Sequence, residues 1–291
     1  MSAEGFVSHN GYRTYYRVAG DLTSRRAPLV LLHGGPGLPH GYFEPLAALA
    51  DERAVVFYDQ LGCGRSDHPA DDSLWTFDTF VSELDAVVAH LELERFSLLG
   101  HSWGGWLALE WRLRRPRPAL AGLVLASTCA SLPAFARMTR ALKVTLPLET
   151  QDALDRHEAA GTTDDPEYDA ASFAYIRTFM VRADPIPEFL LAAAAQKNGH
   201  IADVMQGPEW NVNGRIAEWD VTARLGEIDV PTLVTSGRFD EMTPWVVEPL
   251  VAGIRDAEWV VFDASAHVAH VEEPDRYVTV VRDFLRRVDD R

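Results

Sequence analysis

Cysteine is scarce in this chain of 291 residues, which has only Cys63 and Cys129. Two cannot build a disulfide framework, and both read as buried packing residues without chemistry of their own. The opening residues, Met-Ser-Ala-Glu-Gly-Phe, lack the basic and apolar regions of a signal peptide, so a reducing cytoplasm is the expected location. Long apolar runs are missing too. The longest mostly apolar stretch, 119–136, is broken by Ser127, Thr128, Ser131 and Pro133, which suits a strand and turn better than a bilayer span. Positive charge is outnumbered: 27 Lys and Arg against 43 Asp and Glu give a formal charge of −16. With no Lys/Arg-rich block, neither nucleic acid nor a membrane is an expected partner. There are no internal repeats or low-complexity tracts, which excludes solenoids and linker arrays.

What is present suits a large soluble domain, with 47% hydrophobic residues to fill a core. Strand-like runs alternate with amphipathic helices over the first 130 residues: 28–32, 54–58, a helix over about 76–91, then 96–99. A further strand follows at 120–126. The pattern resumes after 230 with a strand at 231–236, a helix opening near Pro244, a strand at 258–262 and a last helix over about 274–288. Such alternation predicts an α/β fold with a mostly parallel sheet covered on both faces. Residues 131–225 show helix starts without strand alternation. Asp165-Pro166-Glu167 is one such start, with Asp165 as N-cap and Pro166 in the first turn, and Ala171, Tyr175, Ile176 and Phe179 then follow helical spacing, read as a stripe packing on neighbouring helices. The expected division is a core of residues 1–130 and 226–291 with an inserted helical cap, or lid, over 131–225.

Gly100-His101-Ser102-Trp103-Gly104 sits between the strand at 96–99 and a helix over 103–115 stopped by Pro116. A Gly-x-Ser-x-Gly between strand and helix is the pattern of a nucleophile elbow, which strains the serine backbone and lifts its hydroxyl clear of the sheet. The plainer alternative is a turn in which Ser102 caps the helix.

A serine nucleophile needs a base and an orienting acid, in the chain order Ser, acid, His. Asp240 follows the strand at 231–236 and a short turn, with Glu241 and Asp263 as nearby competitors. His267 follows the last strand, with His270 three residues beyond it. Both lie where a parallel sheet presents its carboxyl edge. The oxyanion of a tetrahedral intermediate needs two N–H donors. Trp103, just after the serine, supplies one, and Gly35 in His33-Gly34-Gly35-Pro36-Gly37 supplies the other, unless that segment is only a Gly-rich turn.

The segments His33–Gly37, Tyr-Asp-Gln-Leu-Gly-Cys-Gly-Arg-Ser-Asp at 58–67, Gly100–Gly105, Gly237-Arg238-Phe239-Asp240-Glu241, and His267 through Glu272-Glu273-Pro274 together resemble the proline iminopeptidase family. These are serine aminopeptidases of the α/β-hydrolase fold and include the tricorn-interacting aminopeptidases. The resemblance covers nearly the whole chain. It implies that the free amino group of the substrate is held by Glu241 and by Glu209, the latter in Met205-Gln-Gly-Pro-Glu-Trp210, a segment one residue shorter than the family pattern. Phe179-Met180-Val181-Arg182 stands where relatives commonly carry a histidine and a cysteine. Two apolar residues in their place imply a greasier cap, open to residues other than proline.

The reading is a serine hydrolase, free of metal and cofactor, that releases an N-terminal amino acid, proline or another small or apolar residue, from short peptides or aminoacyl amides. Three alternatives stand beside it: an amidohydrolase removing an aminoacyl group from a hydrophobic natural product or amino acid amide, an esterase for uncharged substrates, and a non-catalytic binding protein on a hydrolase fold. Activity is expected to rise as His267 deprotonates near about 6.5 and to fall as the substrate amine loses its proton near about 7.7–8.0.

Overall fold

The computed structural model describes residues 2–115 and 120–291. Its centre is an eight-stranded sheet built from β1 (Ser2–His9), β2 (Tyr12–Ala19), β3 (Leu29–Leu32), β4 (Val55–Tyr58), β5 (Phe96–His101), β6 (Leu120–Ala126), β7 (Thr232–Gly237) and β8 (Ala257–Phe262). The spatial order is β1-β2-β4-β3-β5-β6-β7-β8. From β4 to β8 every pairing is parallel, whereas β1 and β2 add an antiparallel hairpin at one edge. That hairpin was not among the expected strands. It turns on Asn10-Gly11, both at positive φ, which is what a two-residue hairpin loop demands. Strands β3, β4 and β5 are buried along their whole length, and β3 and β4 read as unbroken apolar runs rather than alternations.

Ten helices accompany the sheet among the described residues: α1 (Phe77–His90), α2 (Trp103–Arg114), α3 (Leu132–Lys143), α4 (Leu148–Ala160), α5 (Pro166–Phe179), α6 (Glu188–Ala195), α7 (Gly199–Met205), α8 (Pro244–Gly253), α9 (Ala269–Glu272) and α10 (Pro274–Asp289). The Pro116 expected to stop α2 lies outside the described residues. Helices α3 to α7 all fall between β6 and β7. At the head of α5 the Asp165 carboxylate accepts from the Glu167 N–H at 2.8 Å, as the cap signal predicted. Leu154, Tyr168, Ala171, Tyr175 and Trp210 form a small apolar cluster within this stretch, separate from the two clusters of the sheet. No helix among the described residues is long and apolar enough to cross a membrane. Cys63 and Cys129 are buried and unpaired.

The loop after β4 organises the carboxyl edge of the sheet. Asp59 accepts from the backbone N–H groups of His40 and Arg65, each at 2.9 Å. Gln60 bonds the loop at His33 twice, its N–H donating to His33 Nε2 at 2.9 Å and its side-chain amide to the His33 carbonyl at 3.0 Å. Leu61 N–H donates to Glu83 of α1 at 2.8 Å, and Thr14 of β2 donates to the same carboxyl oxygen at 2.5 Å. The other Glu83 oxygen is buried without a partner among the described residues.

Burial pushes the Glu83 carboxyl up to about 8, so the folded protein holds a proton that an unfolded chain releases near the ordinary value of 4.5. The contribution to stability is complete below that ordinary value, declines as pH rises, and is gone above about 8. Glu83→Gln keeps an acceptor for Thr14 and Leu61 and cannot ionise. Its melting temperature is expected to fall less between pH 5 and 8 than that of the wild type, as checked by thermal unfolding of both across that range. Equal slopes would refute the assignment.

Candidate active site

Ser102 sits between β5 and α2 at φ 55°, ψ −121°, a strained conformation for a residue with a side chain. Its surroundings explain the flanking glycines. A Cβ on Gly100 would overlap the Gly104 carbonyl, and a Cβ on Gly104 would overlap that of Leu32. The sharp turn exists only because β5, β3 and α2 approach without side chains between them. The Ser102 hydroxyl accepts no cap bond from the N–H groups of its helix, which removes the simple capping alternative. Trp103 is the first residue of α2, so its N–H has no acceptor within the helix.

The loop after β3 lies against this turn. Gly34 is so close that an added Cβ would stand 3.2 Å from the Ser102 Cβ, and Gly35 has φ 120°, a conformation that only glycine adopts without strain. Gly35, Ser102 and His267 line one cavity of about 160 Å³. The Trp103 indole donates to Gln60 at 2.7 Å, so one glutamine ties the first turn of α2 to the loop of His33.

At the ends of β7 and β8, His267 Nδ1 donates to Asp240 Oδ1 at 2.8 Å, with both residues buried. In the neutral imidazole this fixes the tautomer, leaving Nε2 with the free lone pair. Glu241 lies 4.0 Å from the same imidazole nitrogen and accepts from the Tyr175 hydroxyl of α5 at 3.0 Å. Glu209 lines the cavity and accepts from the Gln206 amide at 2.6 Å. Burial would depress the His267 pKa, but Asp240, with Glu241 and Glu209 adding to it, raises it to about 9. The expectation of an ordinary value near 6.5 is therefore corrected: three carboxylates surround this imidazole, and sequence spacing does not reveal their sum. Burial raises both glutamates, and repulsion from Glu209 and Asp240 raises Glu241 further.

The competitors lie elsewhere. His270 packs against the stacked pair Tyr42 and Phe43 with ring centroids 5.3 Å from each, and burial pulls its pKa down to about 3. Asp263 is an exposed partner of Arg238. Glu272 instead links two segments, accepting from Arg182 and Ala183 N–H and, through its other oxygen, from Ala266 N–H beside His267.

The helices between β6 and β7 close the cavity with Ile176, Met180, Val181 and Leu190. They also bond directly to the reactive loops. Phe179 C=O accepts from Glu241 N–H at 3.2 Å, and Met180 C=O from His267 N–H at 3.1 Å. The α5 stripe, read first as packing on neighbouring helices and second as lining the substrate site, supplies Ile176 to the cavity and the Tyr175 hydroxyl to Glu241. Sequence reasoning also missed Tyr42. Gly34 N–H donates to the Tyr42 oxygen at 2.7 Å, and His101 bonds both the Tyr42 hydroxyl, at 2.9 Å, and the His267 carbonyl, at 2.8 Å. Because a carbonyl only accepts, His101 Nε2 carries the proton and Nδ1 accepts from Tyr42. Burial keeps this imidazole neutral, with its pKa far below the usual range. One directed chain of hydrogen bonds therefore joins the loop of Gly35 to the backbone of His267. Among the described residues the groups near Ser102 include no metal-ligand cluster; the one such grouping, His157, Asp165 and Glu167, lies around α4 and α5.

An arrangement of this kind can perform nucleophilic acyl transfer beside an anionic pocket. Comparison with known proteins agrees with it. Residues 29–280 match the alpha/beta hydrolase family. A proline iminopeptidase of Heyndrickxia coagulans is 38% identical over 99% of this chain and 100% of its own length, and one of Lactobacillus helveticus is 37% identical over 99% of both. Among solved structures, VinJ superposes with a TM-score of 0.94 at 39% identity, covering 98% of this chain and 99% of its own. Proline iminopeptidase from Mycobacterium smegmatis gives 0.89 at 37% identity over 99% of both chains.

Tyr42→Phe removes one oxygen and leaves the Gly34 N–H and His101 Nδ1 without their buried partner, at a cost of about 1–3 kcal/mol. The loop of Gly35 then loses its tether while the cavity walls stay. The expected result is a kcat lowered roughly 10-fold with KM nearly unchanged, measured by steady-state kinetics. A change in KM alone would sink this role.

Proposed function

Because the chain belongs to the proline iminopeptidase family of alpha/beta hydrolases, we propose that it releases N-terminal proline, or another small apolar residue, from short peptides and aminoacyl amides through an acyl-enzyme on Ser102. The observation that carries this reading is the pair of glutamates, Glu241 buried and Glu209 half-buried at the cavity, set beside the Asp240–His267 hydrogen bond. Two raised carboxyls in an apolar cavity are costly until a cation arrives. A substrate ammonium supplies it, and an uncharged ester does not.

In this mechanism the ammonium of the substrate rests on Glu241 and Glu209, placing the first carbonyl at Ser102. His267 Nε2 takes the hydroxyl proton as Oγ attacks, and Asp240 stabilises the resulting imidazolium. The Gly35 and Trp103 N–H groups hold the oxyanion. His267 then gives its proton to the leaving nitrogen, the C–N bond breaks, and a water activated by the same imidazole hydrolyses the ester. No cofactor or metal enters these steps. Residues 131–225 serve as the cap over residues 1–130 and 226–291, and the apolar walls at Ile176, Met180, Val181 and Leu190 favour small apolar first residues. The net charge of −16 supports a partner list without nucleic acid or membrane, and the unpaired Cys63 and Cys129 support a cytoplasmic location.

Ser102→Ala is expected to lower turnover of a prolyl arylamide by about 10⁴-fold or more while circular dichroism and melting stay those of the wild type. Substantial residual turnover would overturn the nucleophile assignment.

The glutamates are tested by charge and by pH. Glu241→Gln should cost roughly 10- to 100-fold in kcat/KM for aminoacyl arylamides, the worth of a charge-assisted hydrogen bond, and far less for N-acetylated esters. With His267 raised to about 9 and the substrate amine losing its proton near about 8, the free base and the ammonium coexist best between these values. The kcat/KM profile is therefore expected to peak near about pH 8.5, with its acidic limb moving down in Glu241→Gln and its alkaline limb vanishing for N-acetylated substrates. Equal losses on both substrate types would refute ammonium recognition.

A further inference from the structure

Of the 27 cationic residues in this chain only two are lysines, Lys143 and Lys197. Lys143 is tied to Asp155 on the surface. Lys197 is exposed, lines the mouth of the catalytic cavity, and among the described residues has no carboxylate within ion-pair distance. Its backbone is fixed. Lys197 N–H donates to the Ala194 carbonyl at 3.1 Å at the end of α6, and the next residue, Asn198, donates its N–H to Gly37 at 2.9 Å and its side-chain amide to Gly62 at 3.0 Å. This ammonium therefore stands on a stem anchored to the same loop that carries Gly35.

The cavity it borders is small. At about 160 Å³ it falls well below the roughly 300–1,000 Å³ of pockets that enclose drug-sized ligands. One small residue fills it with its ammonium at the glutamates, and whatever follows the scissile bond emerges at the mouth. In a dipeptide that emerging part ends at once in a carboxylate. A protein carrying sixteen excess negative charges repels such an anion unless a cation meets it.

Resting on the aminopeptidase reading above, we propose that Lys197 receives the C-terminal carboxylate of the leaving residue, so that the preferred substrate class is dipeptides with both ends free. Charges of the bound zwitterion and the site then alternate: carboxylates at Glu241 and Glu209, ammonium, carboxylate, and the Lys197 ammonium. A flexible four-carbon stem with a single point charge suits leaving residues of varied size. Lys197 also lies within electrostatic reach of Glu209, whose anionic form it favours, which places its charge over the site rather than away from it.

The test compares a Pro-Gly dipeptide with its C-terminal amide. An exposed ion pair supports only a modest preference, so wild type is expected to favour the free acid roughly two- to fivefold in kcat/KM at low ionic strength. The preference should fade in about 0.5 M salt as screening shortens its range. Lys197→Met should bring the acid-to-amide ratio to about one, and Lys197→Arg should retain it. A wild-type ratio of one or less, or the same ratio in wild type and Lys197→Met, overturns the proposal. Wild-type turnover of a prolyl arylamide, whose leaving group has no carboxylate, is measured alongside. Its absence would refute the aminopeptidase reading itself, whereas its presence with an unresponsive ratio refutes only the role of Lys197.

Discussion

The arrangement at the carboxyl edge of the sheet depends on an excess of negative charge that the fold alone does not neutralise. Asp240 and Glu241 crowd the His267 imidazole, and Glu209 lines the apolar-walled cavity that the same imidazole borders. Burial makes both glutamates hold their protons more tightly than usual, and the carboxylates around His267 make it do likewise. A bound ammonium relieves all of them together. On the proposed reading, substrate recognition and base activation are thus one electrostatic event: the cation that lets the glutamates ionise also offsets the field that kept His267 protonated.

The second constraint is mechanical. Backbone carbonyls at Phe179 and Met180 meet the N–H groups of Glu241 and His267, and Glu272 grips the chain on both sides of that junction. The helical stretch between β6 and β7 is therefore bonded to the residues whose positions matter most, not merely laid over them. On the other flank, His101 and Tyr42 carry the same rigidity from His267 to Gly34.

Much of this was legible in the sequence because it is local. Gly100 and Gly104 are dictated by clashes one turn away, Asp165 caps its own helix, and each parallel strand carries an apolar run long enough to recognise. Asp240 and His267 could be placed because strand ends in such sheets converge on one edge. What stayed hidden is tertiary. The β1–β2 hairpin carried an Asn10-Gly11 signal, yet its strands are half-exposed and mixed in character, unlike the buried runs beside them. Nothing in the local pattern links Tyr42 to His101, 59 positions away, or sets Ile176 apart from its stripe. The shift at His267 needs Asp240 and Glu241 from one turn together with Glu209 from a distant segment, a sum that only folding performs.

The hydrogen bonds from Asn198 to Gly37 and Gly62 carry one more consequence. Any swing of that segment wide enough to let a product escape must first break them, and doing so unloads the loop on which Gly35 rides. On the proposed reading, which gives the Gly35 N–H to the oxyanion, such a swing and the chemical step at Ser102 exclude each other.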